Sequence, residues 1–213
     1  MKAVILAAGS GLRMRPLTDD KPTPLLSADG KPLIEYIISQ FPQEISDIVM
    51  ITGYQGEMVS DFCGRRFLSR KVRYIQQHER RGTHHALMQA KSVLENDERF
   101  FVLYGSAIHT REDFDRCLEY PRAATVDRNG EYTGLFLLDQ YIFDFAADFS
   151  VARREYTLPS AVNKMRRVHP LEAIRSGFCY PVTIPEDIEA LHNSLVGNKE
   201  MQSMIMGRTL WRF

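Results

Sequence analysis

A single α/β domain built on a mostly parallel sheet is the architecture these 213 residues predict. Three observations carry the prediction. The chain runs at once into an apolar stretch, Lys2–Ala7, bounded by Gly9, the pattern of a strand buried on both faces of a parallel sheet. Further apolar runs alternate with helically spaced apolar residues through the first half, as βαβ units require. The composition, 44% hydrophobic and 25% charged, is that of a globular chain with a real core, and the length suits one large domain.

The elements follow in order. Strands are predicted over residues 2–6, 47–52, 72–76, 99–104, 134–138 and 178–182. Pro32 stands where a first helical turn tolerates proline, and Leu33, Ile34, Ile37, Ile38 and Phe41 then repeat at helical spacing. Thr83 is the predicted N-cap of a helix through Ala86, Leu87, Ala90 and Leu94. Pro185, with Glu186 and Asp187 in the first turn, opens another helix, the acidic residues sitting where the helix dipole favours them. In the tail from Gly197, Met201, Met204, Met206 and Trp211 predict a packed or dimer-forming end, because methionine clusters fill apolar gaps.

Several function classes are disfavoured by the bulk numbers. Lys plus Arg and Asp plus Glu both total 27, so no basic excess points to nucleic acid or an anionic membrane. No run approaches the roughly 18 apolar residues of a membrane span, and no signal-peptide pattern precedes the first strand, which predicts a cytoplasmic protein. Cys63, Cys117 and Cys179 are widely spaced and odd in number, the mark of reduced thiols.

The loop after the first strand is the most informative segment. It opens at the strand's carboxyl end, where open α/β sheets bind ligands. Gly9 and Gly11 let the backbone turn sharply, so the N–H groups of Ala8, Gly9, Ser10, Gly11 and Leu12 can face an anion, while Arg13 and Arg15 offer guanidinium forks to phosphate oxygens. A tight loop with solvated arginines is the plain alternative. It leaves the length and order of the pattern unexplained.

Gly9, Gly11, Arg13, Pro16, Leu17, Thr18, Pro22, Leu25 and Leu26 stand in the register of the opening motif of sugar-1-phosphate nucleotidyltransferases, which the chain resembles. The resemblance implies a three-layer, Rossmann-like nucleotide-diphospho-sugar transferase fold over residues 1–213. It divides into a nucleotide-binding half, 1–110, an abbreviated acceptor half, 111–196, and a tail, 197–213. By the same resemblance Gln77 and Gly82, with Thr83 beginning the helix, read a nucleobase. An amide offers donors and an acceptor, and a glycine lets a base approach the backbone. A surface amide at a strand end is the alternative for Gln77. His84 and His85, adjacent on a helix and so about 100° apart, read as solvated or capping residues and not as a metal site.

The family's charged catalytic positions are substituted. Its lysine after Pro22 is Thr23, and the metal-binding aspartate that ends a buried strand is Ser106. The second such aspartate, in the segment ending Pro185-Glu186-Asp187, is Pro181. Glu119 stands in a faint match to the acceptor motif, with Tyr120 where that motif has lysine. Two function classes remain. One is an active nucleotidyltransferase, using magnesium, in which Arg13 and Lys21, with Asp19, Asp20 or Glu186, supply the missing charges. The other is a relative that binds a nucleoside triphosphate or nucleotide-sugar and regulates an active paralogue, or assembles with itself, with catalysis weak or lost. The substitutions weigh toward the second. The expected small-molecule partners are a nucleotide and a sugar phosphate.

Overall fold

The computed structural model describes residues 1–197 and Ile205. The predicted methionine-rich end, with Met201, Met204, Met206 and Trp211, lies outside the described residues.

One eight-stranded sheet organises the chain. Its strands are β1 (Lys2–Ala7), β2 (Asp47–Thr52), β3 (Arg66–Phe67), β4 (Arg70–Gln76), β5 (Phe100–Tyr104), β6 (Ala123–Val126), β7 (Tyr132–Leu138) and β8 (Glu172–Arg175). Their order across the sheet is β8-β6-β7-β5-β1-β2-β4-β3. β1 pairs in parallel with both β2 and β5, β2 with β4, and β6 with β8. Only β7 and the edge strand β3 run against the rest. The mostly parallel sheet expected from the sequence is present, and it takes strands from both expected halves.

Alternation along β1 shows why a continuous apolar run is needed. Ala3, Ile5 and Ala7 enter one core, and Val4 and Leu6 enter the other. Helices α1 (Leu33–Ser39), α2 (Gly56–Cys63), α5 (Arg111–Leu118) and α7 (Pro185–Gly197) cover the first face. The opposite face is covered by α3 (Thr83–Met88), α4 (Lys91–Leu94) and α6 (Leu158–Met165). The result is three layers. At roughly 1.5–3 kcal/mol for each large apolar side chain fully buried, these two cores set the stability scale of the fold.

The structure corrects five local expectations. β3, β6 and β8 lie outside the strands expected from the sequence. Residues 178–182 do not enter the main sheet; Cys179–Pro181 pairs instead with Ala107–His109 in a separate two-stranded ladder. Pro32 precedes the first turn of α1 in extended conformation. Gly82, not Thr83, is the N-cap of α3. His84 is buried, not solvated. The acidic start of α7 has a more specific basis than the dipole, because Asp187 Oδ2 accepts the backbone N–H groups of Thr183 and Ile184 at 2.6 and 3.0 Å.

Cys63 and Cys117 are buried and Cys179 half-buried, all with free thiols that burial pushes up to about 12. No described helix is long and apolar enough to cross a membrane.

Candidate functional site

β1 and β5 are parallel neighbours, so their carboxyl ends open on one side. A cleft of about 660 Å³ lies there, floored by Ala7 and Gly105. Gly9, Ser10, Gly11, Leu12 and Arg13 form one wall, and Ser106, Val182 and Thr183 form another.

The loop is held in shape by its own contacts. Gly11 has φ 61°, a conformation that favours glycine, and a Cβ there would lie 2.6 Å from Thr23 Oγ1. The Gly11 carbonyl accepts the Met14 N–H and the Thr18 hydroxyl, each at 2.7 Å. Buried Met14 pins the following turn, which leaves Arg13 exposed on the cleft. Arg15 does not line the cleft and pairs with Asp19 at 3.1 Å.

Of the three positions where the resemblance implies a charged residue, two, Thr23 and Ser106, line the cleft. Pro181 is opposite Ala107 in the short ladder, and the next residue, Val182, donates its N–H to the Ser106 carbonyl at 2.7 Å. A hydroxyl and a prolyl ring therefore stand where the resemblance implies two carboxylates. This donor set does not fit a divalent magnesium ion, which takes carboxylate oxygens. Among the described residues no group of three His, Cys, Asp or Glu is placed to hold a metal.

Sequence reasoning missed the third wall. The hairpin Phe149–Ser150 with Glu155–Tyr156 brings Ala152, Arg153 and Glu155 to the cleft. Glu155 is the one carboxylate in the described lining. Burial pushes its carboxyl above the ordinary range, against the pull of Arg153 and then Arg13. The sequence signal was the charged run Arg153-Arg154-Glu155, whose placement depends on a long-range contact.

That same hairpin closes the expected base-reading pair away from the cleft. Gln77 is buried, its amide hydrogen-bonding His85 Nδ1 at 2.8 Å and donating to the Gly82 carbonyl at 3.3 Å. A Cβ on Gly82 would meet the Tyr156 carbonyl at 2.5 Å, so Gly82 is covered by protein, not open as implied. The Thr83 hydroxyl accepts the Leu158 N–H at 2.8 Å. Gln77, Gly82 and Thr83 are together, but none lines the cleft.

Four other expected residues also lie off it. Ala8 is buried beneath the loop, its carbonyl accepting the Tyr54 N–H at 3.4 Å. Lys21 is exposed outside the lining. Glu119 follows α5 beside Tyr120, whose carbonyl accepts from Arg99, the residue before β5, so it is toward the amino ends of the strands, away from the cleft in which an acceptor ligand was expected. Glu186 lines a separate groove with Leu17 and His192.

Residues 2–136 match the profile of the nucleotidyl transferase family. Among curated relatives, the bifunctional protein GlmU of Methanococcus maripaludis is 36% identical over 59% of this chain and 29% of its own length. The chain thus spans about a third or less of that relative. The UTP–glucose-1-phosphate uridylyltransferase AglF of Haloferax volcanii is 27% identical over 84% of this chain and 70% of that protein. A solved UDP-glucose pyrophosphorylase complexed with UDP-glucose superposes with a TM-score of 0.80 at 15% identity, covering 92% of this chain and 98% of that one, a likeness of fold.

Proposed function

Because the chain belongs to the nucleotidyl transferase family, we propose that its cleft binds a nucleoside triphosphate or nucleotide-sugar through the loop from Gly9 to Arg13, with nucleotidyl transfer weak or lost. Transfer to a phosphorylated sugar requires attack on the α-phosphate and departure of pyrophosphate, a reaction whose catalysis is mostly positioning and neutralising charge. Binding asks for less. Backbone donors at a glycine loop and one guanidinium hold phosphates without a metal.

One observation carries the loss of chemistry: Thr23 and Ser106, two positions where the resemblance implies a charged group, line the cleft uncharged, and the third, Pro181, is paired with Ala107 beside it. Of the compensating groups named from sequence, Lys21, Asp19, Asp20 and Glu186 all lie outside the lining, which supports this reading. Base reading through Gln77 and Gly82 is left out of this reading, because the hairpin carrying Tyr156 covers Gly82. Calorimetric titration with the common nucleoside triphosphates and UDP-glucose, with and without magnesium, tests the reading. Binding that magnesium changes little supports it, and no binding of any nucleotide removes it.

An active transferase is the second reading, and Glu155 is the observation that favours it. It places one carboxylate in the cleft beside Arg13 and Arg153. Pyrophosphate release separates the two readings.

A further inference from the structure

The charged lining of the cleft consists of Arg13, Arg153 and Glu155. Its net charge is one positive. Without Arg153 it would be zero, the charge of Arg13 being offset by Glu155, and a cleft with no net positive charge is a poor receptor for a pyrophosphate group. Among the described residues neither Arg13 nor Arg153 is tied into an ion pair, whereas Arg15, Arg81, Arg111 and Arg122 each are.

The hairpin also has the fixity that a ligand-bearing segment needs. Tyr156 donates its N–H to the Arg81 carbonyl at 2.8 Å, and the rings of Phe149 and Tyr156 pack edge to face at 5.3 Å. At its turn the Arg153 N–H is bonded to the Ser150 hydroxyl at 3.3 Å, and Arg154 takes φ 54°, reversing the chain. This leaves Arg153 and Glu155 on the cleft while Arg154 is not.

We propose that Arg153 is a second phosphate-binding cation, carried opposite the glycine loop by the hairpin, and that it supplies part of the neutralisation which Thr23, Ser106 and Pro181 cannot. The ligand chemistry is a diphosphate or triphosphate, and the proposal rests on the nucleotide-binding reading above. Glu155 opposes the same ligand and sets how strongly the cleft holds it.

The test is calorimetric titration of the full chain with inorganic pyrophosphate, UTP and uridine in magnesium-free buffer, on the unmodified protein and on Arg153→Ala, Arg153→Lys, Arg154→Ala, Arg13→Ala and Glu155→Gln. Arg153→Ala weakens pyrophosphate and UTP about tenfold or more, the loss of one charge-assisted hydrogen bond. Arg153→Lys retains part of the affinity, Arg154→Ala leaves it unchanged, and Glu155→Gln raises it. Uridine and the melting temperature do not move with Arg153→Ala, as a purely structural role would require them to. Unaltered pyrophosphate affinity in Arg153→Ala, with Arg13→Ala weakened, overturns the proposal while the nucleotide reading stands. No binding of UTP or pyrophosphate by the unmodified chain overturns both.

Discussion

The backbone N–H of Val182 donates to the Ser106 carbonyl at 2.7 Å, which holds these two cleft-lining residues together and brings Pro181, the residue before Val182, close to Ser106. Two positions far apart in sequence are thereby neighbours, and both are uncharged. The double substitution Ser106→Asp with Pro181→Asp puts two carboxylates there. Magnesium is expected to raise the UTP affinity of this variant while changing that of the unmodified chain little. Titrations with and without the ion check this.

The glycine loop depends on one backbone conformation. Gly11→Ala meets both a φ of 61° and a contact at 2.6 Å to Thr23 Oγ1, so it should destabilise the fold by at least about 1–2 kcal/mol. Gly9→Ala is the control, since a Cβ there meets nothing within 4 Å. Thermal melts of the two variants should separate clearly.

Arg13→Ala should weaken nucleotide binding by about 1.5–3 kcal/mol, the range of a charge-assisted hydrogen bond, without lowering the melting temperature, because the side chain is exposed. Calorimetry gives the loss directly. Unchanged affinity removes Arg13 from the site.

Gln77→Ala removes the partner of His85 Nδ1, and loss of this part-buried hydrogen bond should cost about 1 kcal/mol of stability. An unchanged melting temperature would show the amide uncommitted, as base reading requires.

How much of this was legible in the sequence depended on the range of the cause. β1 and its loop were readable because burial on both faces demands a continuous apolar run and the turn demands glycine. β8 was not, since Glu172–Arg175 buries only Ile174 and is an edge strand with polar neighbours. The register of Gln77 with Gly82 was visible, but its cover was not, because Tyr156 approaches Gly82 from 74 residues further along. For the same reason Arg153 and Glu155 escaped notice. That Ser106 and Pro181 are close in space was not legible in the sequence, because it depends on the ladder between Ala107 and Pro181, 74 residues apart.

His109 gives the fold a pH signature. It is wholly buried, near Asp113 and Cys179, and burial holds its pKa down to about 4 against the pull of a hydrogen bond to the Thr133 backbone. A histidine with a depressed folded value binds its proton preferentially when unfolded, so its neutral form stabilises the fold above about pH 6.5, and that stability is lost as pH falls toward 4. The loss from this group is on the order of 3 kcal/mol. Denaturant unfolding at pH 7, 5.5 and 4.5 should show the decline, and the His109 ring resonances should stay fixed from pH 8 to 5. Titration of His109 near pH 6.5 would contradict this assignment.

Pyrophosphate release by the unmodified chain is the most direct test of the central claim that the cleft holds a nucleotide without efficient transfer. The assay takes magnesium, the common nucleoside triphosphates and a panel of sugar phosphates, glucose-1-phosphate among them. The expected result is no release above background from a chain that binds nucleotide by calorimetry. Turnover at about 1 per second or faster, within the ordinary enzyme range, would contradict it.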